Sequence, residues 1–133
     1  MERHFDQELK ELEGKLLAMA GLVEESIRRA GEALKAVDAE ESRRIIADDA
    51  AIDAMEIEVD GMALGLLSRY QPLAGDLRFV TNAMKINAEL ERIADLSVDI
   101  AQRALDLAGR PLLKPLVDIP KMTLIARRMV RGA

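Results

Sequence analysis

The chain has no cysteine and no tryptophan, one histidine, and only three aromatic residues, Phe5, Tyr70 and Phe79. Without cysteine there are no disulfides, thiolate metal sites or cysteine nucleophiles. With His4 as the lone imidazole, a Cys/His zinc site is excluded, and any metal must be held by oxygen ligands. No proline precedes Pro72, so the first 71 residues carry no breaker of that kind. The longest charge-free runs, Leu16–Val23 and Gly61–Ser68, are far shorter than the roughly 20 residues of a membrane span. The N-terminal residues are charged and contain no apolar h-region, so no secretory signal is expected and the compartment reads as cytoplasmic. The net charge is −5. That argues against a nucleic-acid binder working through general phosphate attraction.

What the chain does have is aliphatic and periodic. Half of it is hydrophobic, mostly Ala, Leu, Ile, Val and Met, which favour helix over strand. Leu9, Leu16, Val23, Ala30 and Val37 recur every seven residues, with Leu12, Met19, Ile27 and Leu34 between them. Asp38, with Glu41 three residues later, predicts a new helix start. Ile45, Ile52, Val59 and Leu66 repeat the spacing, joined by Met55 and Met62, until Gln71-Pro72 turns the chain. The next helix is expected from about Asp76, with Asp76 as cap or Pro72 in its first turn, to Ala108. Its buried side is Val80, Ala83, Ile86, Leu90, Ile93, Ala94, Ser97, Ala101 and Ala104, and Gly109-Arg110-Pro111 ends it. A short run from Lys121 to Arg131 follows, with Met122, Ile125, Met129 and Val130 on its apolar side. The expected class is all-α: an up-down-up three-helix bundle over residues 1–109, a linker at 110–120, and the start of a further helix at 121–133.

Two acid rows stand out. Glu91, Asp95 and Asp99 fall within about 80° of helix circumference, and Asn87 extends the row by a turn. Asp49, Asp53, Glu56 and Asp60 stay within about 60° on the preceding helix. On adjacent antiparallel helices these rows can face one another and hold a hard cation such as Mg, Mn or Ca. A solvated helix face is the plainer reading of either row. A di-iron oxidase would need Glu-x-x-His, which His4 cannot supply. Arg69, Asp76 and Arg78 suit structural ion pairs, and Arg127, Arg128 and Arg131 a solvated basic face. The methionines fall largely at core spacing. Gly61 and Gly65 either allow close helix approach or weaken their helix.

The run Gln71-Pro72-Leu73-Ala74-Gly75-Asp76-Leu77-Arg78 resembles the QPxAxDLR segment of the PhoU family of phosphate-uptake regulators. Glu91-Arg92-Ile93-Ala94-Asp95 resembles its ERIGD segment, within the family's E(D)xxxD metal motif, with Ala94 in place of glycine. Asp49 and Asp53 match its second-helix acids, and His4-Phe5-Asp6-Gln7-Glu8-Leu9 its opening. The resemblance implies tandem three-helix repeats, of which this chain has one and the beginning of a second. It implies a non-enzymatic adaptor between a Pst-type phosphate ABC transporter ATPase and a PhoR-type sensor kinase, negatively regulating phosphate uptake and signalling from the cytoplasm or the membrane periphery. It also implies a cluster of iron or another metal (Zn, Mn, Mg or Ni), with Glu91 and Asp95 as leading ligands, then Asp49 and Asp53, then Asp99. Gln71, Pro72, Asp76, Arg78 and Arg92 are further motif positions. The short length implies either a truncated or minimal family member, or a homodimer formed by pairing or by swapping the fourth helix. On the residues alone, a carboxylate-bridged metal-dependent enzyme and a purely structural helical module stay open.

Overall fold

A computed structural model describes residues 2–110 and 119–132. Among these there is no strand. Helices α1 (Glu2–Ala36), α2 (Ala39–Tyr70) and α3 (Ala74–Ala108) form the expected up-down-up bundle, and all three pack on one another. α4 (Ile119–Gly132) lies against α1. The 35-residue α1 and α3 are each about 52 Å long at 1.5 Å per residue. Most of the predicted linker falls outside the described residues, and α4 begins two residues before the expected Lys121.

The heptad positions account for the core. Leu12, Met19, Val23, Ile27, Ile45, Val59, Leu66, Val80 and Leu90 are almost wholly buried. The largest cluster joins Met19, Val23 and Ile27 of α1 to Ile52 of α2, Leu90, Ile93 and Ala94 of α3, and Ala126 and Val130 of α4. Ser26 and Ser97 share a buried hydroxyl hydrogen bond of 2.6 Å between α1 and α3, which satisfies both. At one end Phe5 meets Tyr70, ring centroids 5.0 Å apart, and Glu8 pairs with Arg69 at 2.7 Å.

Two residues make the first turn. The amide of Asp38 reaches back to Ala33 O (2.8 Å) and that of Val37 to Leu34 O (3.2 Å), a Schellman closure of α1. The Asp38 carboxylate then accepts from the Glu41 amide at 3.0 Å and caps α2. Glu41 does not reach back to complete a capping box. Its carboxylate is taken by Arg29 of α1, which also holds Asp48 at 3.0 Å. Val37 sits in the left-handed region (φ 52°), where a β-branched side chain is strained. Val37→Gly should therefore raise stability by about 1 kcal/mol, read as a shifted urea midpoint at unchanged slope.

Three expectations need correction. α3 begins at Ala74, with extended Leu73 as N-cap and no side-chain cap, so Pro72 lies outside the helix and Asp76 within its first turn. Its first turn closes on the Leu73 carbonyl, from Asp76 N at 3.1 Å. In α4 the buried residues are Ala126 and Val130, whereas Met122, Ile125 and Met129 are exposed. The contact is steric: Thr123 sits where a Cβ on Gly31 would lie, and only a small residue permits that approach. Met19, Met55, Met62 and Met84 do pack into the core. Finally, Arg127 and Arg131 are not a free basic face, since both pair with Glu24 of α1, at 3.8 and 2.7 Å.

Candidate metal centre

The two acid rows meet along the seam between α2 and α3. Their meeting follows from register. Ile52 and Val59 point into the core from α2, and Leu90 and Ala94 from α3. Asp49, Asp53, Glu91 and Asp95 then fall on the flank of each helix that turns toward the other. Burial pushes the Glu91 carboxyl up to about 8, with a hydrogen bond to Asp53 and the charges of Asp53, Asp95 and Asp49 adding to it. Burial also raises Asp49, helped by the charges of Asp53 and Asp95. Four carboxyl groups from two helices thus act on one another.

The cluster is incompletely satisfied. Glu91 Oε2 and Asp49 Oδ1 are buried without a hydrogen-bond partner. Among the described residues, no lysine or arginine pairs with Asp49, Asp53, Glu91 or Asp95. Buried polar atoms left in this state are costly, and a cation would relieve them. The donor set is all oxygen, which fits a hard cation or a carboxylate-bridged cluster. Among the described residues, however, no three such groups converge into a finished cage. The arrangement is therefore an open acid patch whose side chains must turn to close on an ion.

The remaining candidates lie elsewhere. Asp99 is exposed one turn further along α3. Asn87, read from the sequence as part of the acid row, is fully buried; its amide donates to Glu56 O at 2.9 Å and Asp60 Oδ1 at 3.3 Å. It pins α3 to α2 beside the cluster, and its own Oδ1 lacks a partner. Gln71 caps α2 in the left-handed region (φ 47°), its amide bonded to Leu67 O, so Gln71 and Pro72 are turn-forming residues. Asp76 and Arg78 are exposed, and among the described residues neither forms an ion pair. Arg92 pairs with Glu89 at 3.2 Å on the outer face. Neither Gly61 nor Gly65 brings a neighbouring backbone close. The close approach is at Gly31, which periodicity alone did not mark. His4 is exposed at the bundle end. No described helix is long and apolar enough to cross a membrane.

Comparison with known proteins points one way. The model of the PhoU domain matches residues 16–104. The phosphate-specific transport system accessory protein PhoU homolog of Aquifex aeolicus (strain VF5) is 40% identical over 127 residues, covering 96% of this chain and 58% of that protein. The corresponding homolog of Zymomonas mobilis subsp. mobilis (strain ATCC 31821 / ZM4 / CP4) is 38% identical over 128 residues, with 96% and 54% covered. The crystal structure of PhoU from Pseudomonas aeruginosa superimposes with a TM-score of 0.90 at 32% identity, covering 96% of this chain and 61% of that one. The chain thus spans little more than half the length of the proteins it matches.

Proposed function

We propose a function from the premise that the chain belongs to the PhoU domain family: it is a regulatory accessory protein of a phosphate-specific transport system, acting by binding rather than by catalysis. Its relatives carry that accessory role in their names and match nearly its whole length. In the finer form of this reading it is a cytoplasmic adaptor, at most peripheral to the membrane. It contacts the ATPase of a phosphate ABC transporter and a PhoR-type sensor kinase, and it does not bind nucleic acid. It pairs with a second copy, for which the exposed Met122, Ile125 and Met129 of α4 offer an apolar surface.

The observation that carries the reading is the meeting of Asp49, Asp53, Glu91 and Asp95 with no basic partner. These four residues would hold iron or another multivalent metal (Zn, Mn, Mg or Ni), with Asp99 within reach of a larger cluster. The metal would supply positive charge to a seam that lacks it. Glu91 holds a proton until an ion replaces it, Asn87 fixes the distance between the helices, and the neutralised surface is what a partner protein would read.

Native mass spectra of untagged protein, purified without chelator at several concentrations, test both stoichiometry and load. The expected result is a dimer with metal in whole-number stoichiometry. The double variant Glu91→Gln, Asp95→Asn should weaken metal binding about 100-fold, while its circular dichroism stays helical. Unchanged loading in that variant would remove the acid seam from the mechanism. In cells grown with ample phosphate, deleting the chain should raise phosphate uptake, and the double variant should fail to restore control.

A further inference from the structure

α2 has a second uncharged side that the core does not use. Ala50, Ala54, Ile57, Gly61, Leu64 and Ser68 are all exposed and fall within about 80° of one another, opposite the buried Ile52, Val59 and Leu66. Charged residues make up 32% of the chain, yet none falls in this sector over five turns. Ile57 and Leu64 are 68% and 55% exposed, more than a solvated helix face requires. They stand seven residues apart, and Ala54 and Gly61 beside them are also seven apart. Large and small positions in heptad register present knobs and gaps to another helix. Among the described residues the space over Gly61 is open, with nothing within 4 Å of where a Cβ would lie.

The charges bordering this sector select its occupant. On the α1 side, Glu58 is taken by Lys15 at 3.1 Å. On the α3 side, beyond Asp49 and Asp53 of the carboxylate cluster, run Glu56 and Asp60, neither of them paired with a basic residue among those described. Between Ala50 and Ser68 the uncompensated charge therefore lies along one border only, and it is negative; Arg43, seven residues before Ala50, ends the uncharged side. A second copy placed antiparallel on this face by a two-fold axis would set acid row against acid row. An anionic membrane surface would be repelled in the same way. We infer that the outer face of α2, from Ala50 to Ser68, is a docking surface for a partner protein helix with an apolar ridge bordered on one side by lysine or arginine. The inference goes beyond the accessory role proposed above, and it turns on Ile57 and Leu64, which lie outside the carboxylate cluster.

The test uses a fluorescein-labelled helical peptide of three heptads, with leucine at the ridge positions and lysine along one flank. A matched peptide with glutamate on that flank is the control, and binding to the full chain is read by anisotropy. The lysine peptide should bind at least about tenfold more tightly than the glutamate peptide, and more weakly as salt rises. Ile57→Glu and Leu64→Glu should each weaken it by about tenfold or more. Both positions are exposed, so the melting temperature should hold. Equal binding of the two peptides, or binding unaffected by both substitutions, would overturn the proposal. So would a peptide-free dimer in analytical ultracentrifugation that Ile57→Glu dissociates, because the face would then belong to a second copy. Binding of anionic vesicles that Ile57→Glu abolishes would equally refute it.

Discussion

At pH 8 and without added metal, Glu91→Gln is expected to be more stable than the unmodified chain by about 2 kcal/mol, with the difference closing toward pH 4.5. The Glu91 carboxyl moves from its ordinary 4.5 to about 8 in the folded chain. The folded state therefore holds this proton where the unfolded state has released it. Stability from this group is fully present below pH 4.5 and is lost as pH rises to about 8. The full shift would correspond to about 5 kcal/mol at 1.36 kcal/mol per unit, and solvent screening reduces it to about 2. Glutamine keeps the shape and removes the titration. Urea unfolding at pH 4.5, 6 and 8 reads the slope directly; an unaltered slope in E91Q would show that another group controls it. A divalent cation should also stabilise the unmodified chain at pH 8 more than it stabilises E91Q.

Leu90→Ala should have a larger effect and no pH dependence. Leu90 is wholly buried in the cluster with Met19, Val23, Ile27 and Ile52, which helices of this length cannot close around a missing isopropyl group. The expected cost is about 3 kcal/mol, seen as a fall of roughly 10 °C in melting temperature. Because Ala126 and Val130 pack into the same cluster, α4 should loosen too, with faster amide exchange at 126–130. A fall of only one or two degrees would mean that the cluster is not the centre of the fold.

The bundle was legible because its signals are local and repeated. The seven-residue spacing put Met19, Val23, Ile52, Val59 and Leu90 in the core, and Asp38 and Gly109 marked helix ends that the structure keeps. Periodicity misled where shape decides. In α4 the bulky Met122, Ile125 and Met129 outweigh Ala126 in any hydrophobic count, yet Ala126 is the residue that fits α1 beside Gly31. Capping chemistry failed at α3 because extended Leu73 starts the helix with its backbone alone. The acids that meet were all legible as rows. That Glu91 is raised to about 8 was not, because it depends on burial across two helices. Asn87 sits at the border between acid stripe and core, and only packing determines that it turns inward. The uncharged outer side of α2 was hidden for a related reason, since apolar residues on two sides blur a helix's single-face pattern.

The Asp49–Glu91 seam also has a mechanical meaning. As Glu91 ionises near pH 8 beside Asp49, Asp53 and Asp95, the joint between α2 and α3 is loaded as a prestressed structure, with repulsion prising the helices apart while Leu90, Ile52 and the Asn87 amide hold them closed. α1 packs on both helices away from the acids, so it forms the line about which that joint can open or shut. A proton or a cation discharges the load and lets the joint tighten. Dilute salt increases it, because screening then falls off over a longer distance. The tightness of one edge of the bundle is thereby tied to the ionic composition of the surrounding solution.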